Sequence, residues 1–140
     1  MTREAGFAGL GLVLAAALVT LVLAGIGVEL WRVVGEHRRL SGLAEGAALS
    51  GATAVDLASL YAGIEDPVLD ALEAERRACD YLSRYGGLVC ATQAQVVVDR
   101  ATIEVVVTGR LELTLLRLVE SRATPIEVSA SGFATALRSG

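Results

Sequence analysis

From Ala5 to Val28 the chain reads AGFAGLGLVLAAALVTLVLAGIGV, 24 residues without a charge and with Thr20 as the only polar side chain. About 20 apolar residues suffice to cross ~30 Å of hydrocarbon as a helix. In lipid every backbone N–H and C=O must be bonded within the segment, so the run is expected to be helical throughout. A soluble buried helix is a poor alternative, because so small a chain has little core in which to hide one. A cleaved secretory signal is the nearer rival, but its apolar region is normally ~7–15 residues followed by a small-x-small site. Here Ala24-Gly25-Ile26-Gly27 leads into helix-forming sequence with no break.

Outward from this run, Trp31 and Arg32 suit the interfacial zone of a bilayer. No proline occurs between Leu30 and Ala62. Small or apolar residues recur at Leu30, Val33, His37, Leu40, Ala44, Ala47, Ala48, Gly51, Val55 and Ala58, at offsets of mostly three or four, which marks one helical face. One helix from about Ala5 to Ala62 is therefore expected, ~85 Å long at ~1.5 Å per residue. Its stretch from Ala44 to Ala52 is nearly all small, and Ala44, Ala47, Ala48 and Gly51 form a packing face that lets another element approach closely. Asp66-Pro67 reads as an N-cap and first helical residue, opening a second helix from Pro67 to about Tyr85. Leu69, Leu72, Arg76, Cys79 and Leu82 share its face, and Gly86-Gly87 stops it. Val96–Val98 and Ile103–Val107 are β-branched runs separated by Asp99-Arg100-Ala101-Thr102, and Ile103, Val105 and Val107 alternate with Thr102, Glu104, Val106 and Thr108. Leu111 to Val119 is either an apolar loop or a short helix. A last strand runs from about Pro125 to Leu137. The expected class is α+β: a long N-terminal transmembrane helix continuing into a small domain with a second helix and a three-stranded antiparallel sheet. The parts are 1–28 (tail and span), 29–63 (continuing helix) and 64–140 (small extracytoplasmic domain).

The chain carries little that points to chemistry. Its net charge of −4 argues against nucleic acid. His37 is the only histidine, so any Ser-His-Asp triad would have to use it. One histidine and two distant cysteines cannot supply a four-ligand metal site. There is no C-x-x-C pair and no phosphate-binding glycine loop. No catalytic residue, cofactor, metal or small-molecule substrate is expected. Cys79 and Cys90 lie outside the apolar run; as an even pair in a small exported domain they suggest a disulfide, with two buried thiols as the alternative.

The ordered combination Gly27-Val28-Glu29-Leu30-Trp31-Arg32, Glu36-His37-Arg38-Arg39-Leu40 and Ala44-Glu45-Gly46-Ala47-Ala48-Leu49-Ser50-Gly51-Ala52 resembles the TadE/TadG-like pilus-assembly proteins over about the first 55 residues. Those proteins have an apolar N-terminal helix, then an acidic residue and arginines, then an alanine-rich stretch on the same helix. The resemblance implies a non-enzymatic, pilin-like subunit of a Tad (Flp) pilus or related secretion system, with other pilus subunits and the membrane as partners. It also implies a candidate prepilin cleavage after Gly6, leaving Phe7 first, although Gly11 stands where pilins usually carry Glu. Arg3 precedes the span while Arg32, Arg38 and Arg39 follow it, which by charge alone favours a cytoplasmic C-terminus. The resemblance and the cysteines favour the opposite. The expectation is a single-pass plasma-membrane protein with an extracytoplasmic C-terminal domain, with an extracellular pilus as a further location. The competing function is a membrane-tethered cell-envelope binding or adhesion module.

Overall fold

The computed structural model describes residues 3–62, 67–112 and 125–136. Helix α1 (Arg3–Ala52) is followed by α2 (Leu57–Tyr61) and by α3 (Ala71–Tyr81), which runs on into a π-helical turn (Leu82–Gly86). After α4 (Cys90–Gln93) come β1 (Ala94–Asp99), β2 (Thr102–Leu111) and β3 (Ile126–Thr135). The class is α+β, with an antiparallel sheet ordered β1-β2-β3.

At ~1.5 Å per residue the 50 residues of α1 extend ~75 Å. Inside the apolar stretch the one hydroxyl is satisfied locally, Thr20 Oγ1 donating to the Ala16 carbonyl at 2.8 Å. The helix ends at Ala52, well short of the expected Ala62. Its end is set by pairing with distant backbone. Asp56 N–H donates to Val68 O (2.8 Å), Asp70 N–H to Ala54 O (2.9 Å), and Val55 bridges Leu69. Residues 54–56 cannot stay helical while bonding to 68–70. The expected cap at Asp66 lies outside the described residues.

The second helix begins later than Pro67 for the same reason, since Val68 and Leu69 are held extended. Its cap is Asp70, whose Oδ1 accepts from Glu73 N–H at 3.1 Å. Asp70-Ala71-Leu72-Glu73 has the D-x-x-E spacing of a helix start. The buried face is also rotated from the expected one. Of the expected face Leu69 and Leu82 are buried, but Leu72 is 82% exposed and Arg76 lies on the surface, and Ala74 and Ala78 are buried in their place. Gly87, at φ 63°, closes the π-helical turn, its N–H donating to Ser83 O at 3.1 Å. Cys90 opens α4, and β1 begins directly after it at Ala94.

β1 and β2 join through a two-residue turn, Arg100-Ala101, with Arg100 at φ 40°; such short hairpins favour positive φ. Ile103, Val105 and Val107 face inward and are fully buried, as their alternation implies. The apolar stretch from Leu111 to Val119 lies outside the described residues from 113 onward, as does the end of the last strand at Leu137. On β3 the inward residues are Ala130, Gly132 and Ala134, with Ala136 just beyond. α1 lies across β3, β2 and α3. Among the described residues, ten of the sixteen in the buried core are alanine, so the fold relies on close backbone approach more than on large buried side chains.

Candidate assembly surface

Helix α1 has two unlike parts. From Gly9 to Arg39 almost every residue is exposed, including Leu12, Leu14, Leu18, Leu21 and Leu23. From Leu40 onward one face is covered by the rest of the chain. α1 is long and apolar enough to cross a membrane: its most apolar 18 residues have a mean hydropathy of 2.5, and none of that window is covered by the domain. Monomeric soluble proteins rarely expose apolar patches beyond a few hundred Å².

The small-residue face is occupied from within. Ala44, Ala47 and Ala48 are fully buried and Gly51 is buried against Ile103 and the Ala74 carbonyl. A Cβ at Gly132 would overlap the backbone of Ala44 and Glu45, and one at Gly46 would overlap the Tyr81 ring. One at Gly109 would lie 2.9 Å from Leu40 Cδ1. The element that approaches the face is thus the chain's own β3 and α3. The period-two run Ala130-x-Gly132-x-Ala134-x-Ala136 is the complementary half of this contact. Its signal is small residues at alternate positions, but nothing local pairs it with α1.

Cys79 and Cys90 form a disulfide with Cα atoms 5.5 Å apart, joining α3 to the segment that enters β1. A loop of this length corresponds to about 3 kcal/mol of chain entropy in the loop-closure model. In the first turn of α3, Glu73 receives hydrogen bonds from Arg76 and then Arg77, which hold its carboxyl down at about 2. Arg77 also donates to Thr53 Oγ1 at 2.9 Å, tying α3 to the end of α1.

Gly6 and Phe7 lie within the first turns of α1. His37 is exposed. Among the described residues no three His, Cys, Asp or Glu side chains gather to hold a metal. A polar surface cleft of about 580 Å³ is lined by Thr92, Gln93, Thr108, Arg110 and Glu127, and its charged groups are an exposed pair at 3.4 Å.

No curated protein and no solved structure matches the chain. Residues 6–55, which span nearly all of α1 and its turn into the domain, match the family model described as "Putative Flp pilus-assembly TadE/G-like", so over these residues, about a third of the chain, the protein is similar to that family.

Proposed function

We propose that the protein is a membrane-anchored, pilin-like subunit of a Tad/Flp-type pilus or related secretion system, working by helix packing and without catalysis. The family it matches is a pilus-assembly one and not an enzyme class. The observation that carries the reading is the exposed apolar half of α1, which is continuous with the helix that forms the floor of the domain. A helix apolar all round needs lipid or other apolar helices as surroundings. Because the alanine face is already filled, the part of α1 available to other helices is the apolar run from Gly9 to Val28. The disulfide favours an oxidising compartment for the domain, hence an extracytoplasmic C-terminus.

Photo-crosslinking in cells tests this. A benzoylphenylalanine at Leu14 or Val22 is expected to capture other pilus-assembly subunits, and the product should remain in the membrane fraction. Absence of any subunit crosslink from either position, in a strain that assembles pili, would count against the packing role. The mass of the mature N-terminus reports on processing: a start at Phe7 marks cleavage after Gly6, and a start at Met1 or Thr2 marks a permanent anchor.

A further inference from the structure

We infer that the side of α1 turned away from the domain, carrying Trp31, Arg32, Arg38 and Arg39, binds anionic phospholipid headgroups in the leaflet from which the domain emerges. This rests on the membrane-anchor reading above and adds a ligand class to it. At ~100° per residue the four side chains fall within a sector of ~120°. That sector is roughly opposite Leu40, Ala44, Ala47 and Gly51, which face the domain. All four are exposed, Trp31 at 77%, whereas Glu29, Val33 and Glu36 toward the domain side are half-buried. Glu29 and Glu36 flank this sector on its domain side, ~40–60° from Arg32, so the outward direction itself carries only Trp31 and the arginines. Glu36 lies 3.4 Å from Arg39 in an exposed pair, and such pairs contribute little.

Height along the helix fits the same ligand. Arg32 lies ~6 Å past Val28, and Arg38 and Arg39 lie ~15–17 Å past it. Helix side chains lean toward the N-terminus, which here means toward the bilayer. A tilt of ~20°, common for single spans, lowers this side further. The domain sits on the other side and does not obstruct it. Arginine matches phosphate with two parallel hydrogen bonds, and tryptophan settles at the headgroup level. The protein as a whole carries a charge of −4, so this face is a basic island on an acidic molecule and the part that an anionic surface attracts.

Trp31 is the only tryptophan, so its fluorescence reads this face alone. The full-length protein would be reconstituted into phosphatidylcholine vesicles containing equal mole fractions of either brominated phosphatidylglycerol or brominated phosphatidylcholine. The expected result is preferential quenching by the anionic lipid, with a relative association at least roughly threefold higher. That preference should fall to near parity in the R32Q/R38Q/R39Q variant and in high salt. Equal quenching by the two lipids in the unsubstituted protein overturns the proposal and leaves the anchor standing. Quenching by neither overturns both. Millimolar inorganic phosphate should leave the preference unchanged; its loss on adding phosphate would overturn the assignment to lipid headgroups.

Discussion

Gly132→Ala isolates the contact on which the domain is built. Gly132 sits in β3 with its missing side chain directed at α1, and a Cβ there meets the Ala44 carbonyl group and the Glu45 nitrogen. Those atoms are helix backbone and cannot rotate aside, so the helix or the strand must shift. Overpacking of this kind costs ~1–3 kcal/mol, and a rigid neighbour puts it near the upper end. Against it stands a gain of ~0.5–1 kcal/mol, because alanine has less freedom to lose on folding than glycine. The net expectation is destabilisation by about 2 kcal/mol. For a folded unit of about 100 residues this lowers the melting temperature by roughly 8–16 °C. The assay is thermal melting of the full-length protein in detergent, followed by the circular dichroism of the sheet. Gly42→Ala is the control: it is exposed, lies mid-helix and has open space where a Cβ would stand. It should stabilise by ~0.5–1 kcal/mol. A Gly132→Ala protein that melts at or above the parent would refute the close approach of β3 to α1.

The other expectations follow from the same contacts. Ala48→Leu should destabilise the domain by ~1–3 kcal/mol while leaving membrane insertion intact; limited proteolysis of the membrane-inserted protein checks this, and parental resistance would argue that the face is open. The Cys79→Ser/Cys90→Ser pair should lower stability by about 3 kcal/mol, read as a fall in melting temperature that reduction of the parent reproduces. Asp70→Ala removes the cap of α3 and should cost ~1 kcal/mol in the same melt. Glu73 is held at about 2 against an ordinary value of 4.5, so the stability it contributes is present above pH 4.5 and is lost as pH falls toward 2. Glu73→Gln should flatten that part of a pH–stability profile.

What the chain declares by itself is whatever depends on near neighbours. The uncharged run from Ala5 to Val28, the alternation of Ile103, Val105 and Val107, the stop at Gly86-Gly87 and the paired cysteines are all legible because period, charge and turn chemistry are local. The similarity of residues 6–55 to the TadE/G-like family is legible in the same way, as residues in order along one element. Tertiary structure alone decides where α1 ends, since nothing between Ala52 and Ala62 breaks a helix and the break comes from hydrogen bonds to residues 68–70. It also decides which side of α3 is covered. By sequence Leu72 and Arg76 are as suitable as Ala74 and Ala78, yet only the alanines permit the spacing that α1 requires. Alanine carries little hydrophobic signal of its own, so a surface made of it announces that something comes close without saying what. Here the answer is Gly132 and its neighbours on β3, roughly 90 residues away along the chain, and only folding brings the two together.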